Sequence, residues 1–446
     1  MTITFWRGSH ISQLSLKIIT TMVSLTFAAN SANADSIQKY TSAHLVVYSE
    51  LPPREAMQRL RRMEQAVRLA SSYWRSPLPG KLECYLVDDL ANWESFHFPS
   101  DDARQVLHSL GGGTETAQEK PHHRAAGKAV VYATTTPGIA EHEVIHAYCF
   151  QTFGRGGPDW YREGMAELFA QQLNSSTRSP CRTETYQLLK QSPRRASEVI
   201  RQPFTDELRQ WMKSTRDLQP YVNGTANYHD NPPPNYGKQL SDIDGDVLRT
   251  AKENYANSWA LCYILFHHKA YRDRFRAAGI HLLSGGQVSF AQVFANQMEE
   301  LDFELSQFAQ HVCPGYRFEL CRWSWPKDCA TLEVGRSKIV RLKSRRGFQP
   351  TELRLEQGQT YRVVTTGSWK IAETDATTDA DGTEHGDGRL VGVLVDNYQL
   401  TAPLDFGSKA ELTVKQQGDL YLRCQEDWDQ LSDNYGIICV RLTRVR

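Results

Sequence analysis

The fold and the chemistry of this chain depend on the stretch His142-Glu143-Val144-Ile145-His146. Positions i and i+4 lie on one face of an α-helix, so His142 and His146 are predicted to point their imidazoles at one metal ion. Glu143 lies next to that face, within reach of a water molecule bound to the same ion. The pattern therefore predicts two zinc ligands and a general base within one and a half helical turns.

The flanks of this stretch predict the bounds of its helix. Pro137-Gly138 breaks the chain in front of it, and Gly154 stands where a C-terminal glycine cap is expected. Apolar side chains between these positions, such as Val144 and Tyr148, provide a surface for packing. We therefore expect a packed helix that ends at Gly154.

A third zinc ligand is expected further along the chain, because catalytic zinc usually takes three protein ligands and one water. Glu163 follows His146 by 17 residues, in the segment Trp160-Tyr161-Arg162-Glu163-Gly164-Met165-Ala166-Glu167. Asp159 is the predicted N-cap of a second helix, which brings Glu163 into its first turns. Glu167 lies one turn further on the same face, where it is predicted to accept a hydrogen bond from the second nitrogen of a ligand histidine.

Together the two motifs resemble those of the gluzincin zinc metallopeptidases, and most closely the bacterial peptidase-MA-like group. The resemblance covers roughly residues 40–310. It implies an α+β fold in which a mixed sheet, with an edge strand that holds the substrate, is followed by the metal-binding helices. That edge strand is predicted at Lys128–Thr134, where free backbone groups would bind an extended peptide by strand addition.

The resemblance also suggests a role for Tyr255, in a predicted buried helix over Asn254–Phe266. In peptidase-MA-like proteins a Tyr-x-x-Ser-Trp helix follows the metal helices, which makes Tyr255 a candidate hydrogen-bond donor to the developing oxyanion. The alternative is a core tyrosine that only packs its ring.

Hydrophobic periodicity supplies the remaining elements of the N-terminal part. It predicts two strands and a helix, at Ala43–Tyr48, Lys81–Val87 and Pro53–Trp74. The polar residues 109–128 predict an exposed loop, in which His122-His123 is more typical of solvated histidines than of metal ligands. The proline-punctuated stretch 219–246 predicts either a surface insertion or a lid over the cleft.

Beyond residue 335 the pattern changes to short alternating strands separated by turn residues. The predicted strands lie at 339–342, 352–355, 361–364, 390–395, 410–414, 420–423 and 437–442. This spacing predicts an all-β sandwich over residues 335–446, after a peptidase-like domain over residues 35–330.

The runs Gly418–Arg423 and Leu431–Gly436 are similar to calcium-dependent, galactose-binding bacterial lectins, in which the loop before the last strand supplies calcium ligands and sugar contacts. The resemblance implies Ca²⁺ as a second cofactor and carbohydrate as a partner. Oxygen ligands of the kind that Ca²⁺ prefers are present in this loop at Glu426, Asp427, Asp429, Asp433 and Asn434. The loop 375–387 offers further carboxylates, although acidic residues also cluster in turns that bind no ion.

Residues 1–34 have the pattern of a secretory signal peptide. Basic residues precede the apolar run 18–29, which is too short for a comfortable membrane span, and Ala32-Asn33-Ala34 is typical of a signal-peptidase site. The pattern predicts a secreted or periplasmic protein that begins near Asp35 and keeps no transmembrane anchor. An uncleaved anchor or a buried helix is the alternative.

Charge and cysteine content narrow the partners and the compartment. Lys+Arg and Asp+Glu both number 51, so no broad attraction to nucleic acid or to an anionic membrane follows. The 9 cysteines fit an oxidising compartment, and their odd number leaves at least one outside an internal disulfide. Cys424 and Cys439 are predicted to pair across a hairpin, and two of Cys313, Cys321 and Cys329 form a second candidate pair.

These patterns predict a secreted zinc metallopeptidase that cleaves peptide or protein substrates. Zinc is expected on His142, His146 and Glu163, with Glu143 transferring the proton from water to the leaving amine. Two alternatives stay open: a surface-binding or glycan-binding protein that uses the zinc module as a scaffold, and a zinc hydrolase of a non-peptide amide.

Overall fold

The computed structural model of the chain describes residues 37–100, 102–117, 128–173, 180–201, 245–371 and 377–446. The predicted signal peptide, His122-His123 and residues 219–244 of the proline-punctuated stretch lie outside these ranges. Among the described helices, none combines the length and the apolar character needed to cross a membrane.

The N-terminal region, residues 37–321, combines one sheet with a set of helices. Its described strands are β1 (Gln38–Thr41), β2 (Leu45–Ser49), β3 (Leu82–Val87), β4 (Gly112–Ala117) and β5 (Lys128–Thr134). Its described helices are α1 (Pro53–Trp74), α2 (Ala103–Leu110), α3 (Ile139–Phe153), α4 (Asp159–Gln172), α5 (Thr183–Gln191), α6 (Ala196–Arg201), α7 (Gly245–His267), α8 (Arg272–Leu283), α9 (Phe290–Phe294), α10 (Met298–His311) and α11 (Phe318–Cys321). The predicted α+β class is confirmed for this region.

The sheet is mixed, with the strand order β1-β2-β3-β5-β4. β2, β3 and β5 run parallel, while β1 and β4 pair antiparallel to their neighbours. The prediction that Lys128–Thr134 is the edge strand is therefore wrong, because β5 lies between β3 and β4. β4 forms this edge of the described sheet.

The predicted loop over residues 109–128 is also wrong in part, since it contains β4. The glycine and polar residues of this segment do not have the sequence pattern of a strand. The segment is a strand because it pairs with β5. Gly112 is required by close packing: a Cβ atom there would collide with Ile139 at the start of α3 and lie 3.1 Å from the Tyr132 carbonyl oxygen. β4 therefore lies directly against α3.

The predicted bounds of α3 are confirmed. The helix follows Gly138, at φ 93°, and ends at Gly154, at φ 77°, and glycine adopts such left-handed conformations without a steric cost. Its sides are buried between the sheet, α1 and α4. On one of these sides, Trp74 stacks on Tyr148 with ring centroids 5.6 Å apart.

Helix α4 begins one residue earlier than the capping pattern predicts. Pro158 occupies the N-cap position, and its carbonyl oxygen accepts hydrogen bonds from the amides of Tyr161 and Arg162. The prediction of Asp159 as the N-cap is therefore wrong: Asp159 is the first helical residue, and its carboxylate pairs with Arg162 at 3.0 Å. Glu163 still lies in the second turn, as its role requires.

Close packing between α4 and α7 depends on Gly164. A side chain at Gly164 would collide with the Ser258 carbonyl and the Cys262 sulfur of α7. The glycine beside Glu163 therefore allows α7, which carries Tyr255, to approach the metal-site helices closely.

The C-terminal region, residues 337–444, consists of two sheets around one core. Its described strands are β6 (Ser337–Lys343), β7 (Gln349–Leu355), β8 (Thr360–Lys370), β9 (Thr377–Thr378), β10 (Leu390–Asp396), β11 (Gln399–Leu400), β12 (Leu404–Asp405), β13 (Lys409–Thr413), β14 (Gly418–Cys424) and β15 (Tyr435–Arg444). One sheet has the order β11-β10-β14-β7 and the other β13-β8-β15-β6. Buried side chains from both sheets, including Leu422 and Val440, form one hydrophobic cluster, in agreement with the predicted β-rich region.

The predicted disulfide between Cys424 and Cys439 is wrong, and so is the hairpin assumed between them. Cys424 ends β14 and Cys439 lies on β15, and these two strands belong to different sheets. Cys424 points into the core, whereas Cys439 lies between the inward-facing Ile438 and Val440 and so points outward. All 9 cysteines have free thiols, so the pair predicted within Cys313, Cys321 and Cys329 is also absent.

The two regions share an apolar interface. Phe303 of α10 and Trp323 pack with Val393 and Tyr421 of the β10–β14 sheet. The Tyr421 hydroxyl also donates a hydrogen bond to the Ser324 carbonyl, at 3.2 Å. The C-terminal region is thus packed onto the helices of the N-terminal region.

Candidate metal centre

Helix α3 presents the two histidines of the motif side by side. The Nε2 atoms of His142 and His146 lie 2.9 Å apart, and both side chains are buried. Their rings meet edge to face, with centroids 4.6 Å apart. The i, i+4 spacing therefore converges on one point, as the helix geometry predicts.

Helix α4 brings the Glu163 carboxylate to the same point. Its Oε2 atom lies 3.2 Å from the Nε2 atoms of both His142 and His146. A tetrahedral ion with bonds of about 2.0–2.2 Å needs ligand atoms roughly 3.3–3.6 Å apart. The three atoms thus form a triangle close to the size that a zinc ion requires, with donors of the type that zinc binds.

The outer partners of this triangle include Glu167 and Arg162. The Glu167 Oε1 atom lies 3.1 Å from Nδ1 of His142, an ion-pair distance, although the two atoms are not aligned as the predicted hydrogen bond requires. Arg162 was not predicted: its Nε donates a hydrogen bond of 2.8 Å to Oε1 of Glu163. Arg162 therefore holds the Glu163 oxygen that faces away from the histidines. Its position directly before Glu163 carried no sequence signal for this contact, because neighbours on a helix do not usually face each other.

Charges in the centre are strongly coupled. Burial by itself would lower the pKa of His142, but hydrogen bonds to Glu163 and Glu167 outweigh it and raise that pKa to about 10. Burial would raise the pKa of Glu163, yet the charge of His146 and the hydrogen bonds from both histidines hold it well below its usual value. The protein alone therefore keeps a proton on an imidazole between two carboxylates, and a divalent cation in the same place would displace that proton.

Glu143 lies beside the triangle and is held by the edge strand. The Thr114 hydroxyl of β4 lies 3.0 Å from Glu143 Oε2 and 2.9 Å from the Glu143 carbonyl oxygen. Candidate ligand atoms of Glu143, His142 and His146 all lie within 4.8 Å of one another. Elsewhere in the described residues no three such side chains come as close. Thr114 was missed because its segment was predicted as a loop.

Tyr255 faces the same centre from α7. Its ring centroid lies 6.2 Å from that of His142. Burial, reinforced by the negative charges of Glu163, Glu143 and Glu167, raises the pKa of Tyr255 well above its usual value. The phenol therefore stays protonated and can act as a hydrogen-bond donor.

The predicted calcium residues are only partly brought together. Residues 425–434 connect β14 to β15, and the Asn434 amide donates a hydrogen bond to the Glu426 carboxylate. Burial, followed by the charges of Asp433 and Asp387, raises the pKa of Glu426 to about 7. Asp387 belongs to the second acidic loop that sequence analysis named.

The remaining two predicted oxygen ligands, Asp427 and Asp429, lie apart from Glu426, Asp433 and Asn434. Asp429 packs against Gly315 of the N-terminal region. The charges of Asp429 and Asp427 also contribute to the raised pKa of the Cys313 thiol, although burial is its main cause. The loop therefore presents two acidic sides rather than one cage of five ligands.

Comparisons with known proteins add little to this geometry. No protein-family model matches the chain, and no curated protein matches it. One matching solved structure is described as "EclA N-terminal domain; PllA-like lectin"; it is 18% identical, the match covers 24% of this chain and 94% of that chain, and the TM-score is 0.21. At that TM-score the similarity carries no argument about this chain, and no peptidase family is shown.

Proposed function

We propose that this protein is a zinc-dependent metallopeptidase. One observation supports the proposal most strongly: two imidazole nitrogens and one carboxylate oxygen form a buried triangle with sides of 2.9, 3.2 and 3.2 Å, beside the carboxylate of Glu143. Three protein ligands with a fourth position left for water are typical of catalytic rather than structural zinc.

His142, His146 and Glu163 would hold the ion in this proposal. Bound zinc supplies Lewis-acid chemistry, which polarises a carbonyl group and makes water a stronger acid. Arg162 keeps the Glu163 carboxylate charged and oriented, and Glu167 fixes the ring of His142. Such outer partners typically change metal affinity or activity about 10–100-fold when they are removed.

Glu143 is the proposed general base. It accepts a proton from the attacking water and delivers it to the leaving amine, so that no acyl-enzyme is formed. The Thr114 hydroxyl orients its carboxylate, and Tyr255, as a protonated phenol, is the proposed donor to the oxyanion of the tetrahedral intermediate. Each of these three residues comes from a different element, β4, α3 or α7.

An extended peptide is the substrate that best fits the edge strand. β4 pairs with β5 on one side and with no further described strand on the other, and it lies against α3 close to Glu143. A peptide that pairs with β4 would run past the metal centre in a fixed register. This argument favours a peptide bond over a non-peptide amide as the reactive group.

The test is zinc content together with cleavage of a mixed peptide library by purified residues 35–446. We expect one zinc per chain and cleavage that a chelator abolishes and added zinc restores. One zinc without cleavage would favour a scaffold or a non-peptide hydrolase, and a chain without zinc would overturn the proposed site.

A cation site in the C-terminal region is a second candidate. The charges of Asp433 and Asp387 both act on the Glu426 carboxylate, although the three groups do not form as close a cluster as the candidate zinc site. Asp433 Oδ1 is buried without a hydrogen-bond partner among the described residues. A calcium ion would satisfy both features. We expect Ca²⁺, but not Mg²⁺, to raise the melting temperature of the wild type more than that of Asp433→Asn; equal shifts would argue against the site.

A further inference from the structure

A large pocket opens next to the metal centre. It has a volume of about 870 Å³ and lies between the α3–α4 loop and the segment after α8. Four aromatic side chains form one part of its wall, the aromatic wall: Phe150, Trp160, Phe275 and Phe290. None of the residues described above as ligands or general base lines it, so the pocket is a separate feature of the molecule.

Two of its lining residues connect the pocket to the metal centre. Phe150 follows His146 by four residues on α3, so it lies on the same helix face about 6 Å further along the axis. Arg162 lines the pocket as well, while its Nε holds Glu163. The pocket therefore begins one helical turn beyond the zinc ligands.

The charged side chains that line the pocket are all positive. Its described lining contains two arginines, Arg155 and Arg162, and no aspartate or glutamate. Arg162 is already paired with Asp159 and Glu163. Arg155 is exposed and makes no ion pair or side-chain hydrogen bond in the described structure, and its guanidinium lies across Gly285, where a Cβ atom would be 3.0 Å from Nε. Arg155 is thus a cation without an ion-pair partner among the described residues, in a pocket whose lining mixes apolar side chains, glycines and uncharged polar groups.

The distance between Arg155 and the candidate metal centre determines which position of a bound peptide could place a carboxylate at Arg155. Helix α3 ends at Phe153, seven residues and so roughly 10 Å beyond His146 along the helix axis, and Arg155 follows two residues later. An extended peptide advances about 3.3 Å per residue. A carboxylate bound by Arg155 would therefore lie roughly three to four residues from the bond at the metal.

We propose that this pocket is a substrate subsite that binds a carboxylate of the peptide at Arg155, with apolar residues of the substrate packed on the aromatic wall. The inference rests on the proposed peptidase function and adds a substrate class to it. The carboxylate comes either from an acidic side chain or from the C-terminus of a short substrate, since both present the same group to a guanidinium.

The first arm of the experiment is a cleavage profile. Matched octapeptides carry Glu or Gln at each position in turn, each with a free or an amidated C-terminus. We expect the wild type to prefer one acidic position or a free C-terminus, and Arg155→Gln to lose that preference by roughly tenfold to hundredfold, as for loss of a charged hydrogen bond. Arg155→Lys should restore part of it.

The control is Arg341→Gln, which removes another exposed arginine without an ion pair, in the C-terminal region. It should keep the wild-type preference. The absence of any acidic preference, or its persistence in Arg155→Gln, overturns the subsite. A preference for Glu that ignores amidation assigns the side chain, and the reverse assigns the C-terminus.

A second arm separates this inference from the proposed function. Fluorescence polarisation measures how tightly the same peptides, now labelled, bind to the protein without added zinc. The wild type is compared with Arg155→Gln. If no peptide is cleaved but acidic peptides bind in an Arg155-dependent manner, the peptidase proposal fails and the pocket stands. If cleavage occurs without any acidic dependence in either arm, the pocket proposal fails alone.

Discussion

The N-terminal and C-terminal regions differ in where they place charged side chains. In the N-terminal region, buried groups from α3 and α4 converge on one point, where His142, His146 and Glu163 meet within 3.2 Å. In the C-terminal region the cluster between the two sheets is made of apolar side chains, with Trp369 and Leu422 among them, and most charges lie on outward strand faces.

The difference distinguishes a candidate chemical centre from an apolar structural core. Ionisable groups are costly to bury unless they are paired or bind a metal, so a buried cluster of them is a candidate functional site. The apolar sandwich core needs no such explanation. If the comparison is correct, substitutions in the first region should affect chemistry, and those in the second should affect stability.

The largest effect is expected from Glu143→Gln. The amide cannot accept the proton from water, so peptide cleavage should fall by about 10²–10⁴-fold, the usual contribution of a general base. Zinc content should stay at the wild-type level, because Glu143 is not a proposed ligand. Glu184→Gln on exposed α5 is the matched control, and wild-type rates in Glu143→Gln would disprove the mechanism.

Glu163→Ala is expected to weaken metal binding. Loss of a ligand should cost more than the roughly 10–100-fold that follows removal of an outer partner such as Glu167. Zinc retained after dialysis is the measurement, with circular dichroism to confirm that the fold persists. A zinc content equal to that of the wild type would show that Glu163 is not a ligand. It would also argue against the difference between the two regions.

Leu422→Ala tests the other half of the comparison. Leu422 is fully buried in the sandwich core, so its truncation should lower the free energy of unfolding by about 2–5 kcal/mol. Zinc content and cleavage rate, measured at a temperature where the variant is folded, should not change. A large loss of zinc in this variant would mean that the two regions do not act separately.

The smallest effect concerns pH. Hydrogen bonds to Glu163 and Glu167 raise the pKa of His142 to about 10, so below that pH a proton competes with the metal for this imidazole. Zinc affinity should therefore rise as pH increases, by about tenfold per unit while one proton is released. Competition with a chelator from pH 6 to 8 measures the slope, and an affinity independent of pH would contradict the assignment of His142.

The motifs alone predicted part of the local geometry of the candidate centre. Helical spacing placed His142 and His146 on one face, and a glycine cap predicted the end of α3 at Gly154, because both depend only on local backbone geometry. Alternation at a period of two likewise predicted the strands of the C-terminal region. These are short-range rules, and they hold wherever the neighbours permit.

Long-range pairing was decided only by the tertiary structure. The glycine-rich segment 112–117 becomes the edge strand because β5 pairs with it, and that pairing brings Thr114 to Glu143. Cys424 and Cys439 do not pair because their strands belong to different sheets and only Cys424 faces the core. Arg155 lines a pocket because the segment after α8, more than 100 residues further along the chain, packs next to the α3–α4 loop. Local sequence patterns do not predict such contacts, because the contacts depend on which surfaces meet after the chain has folded.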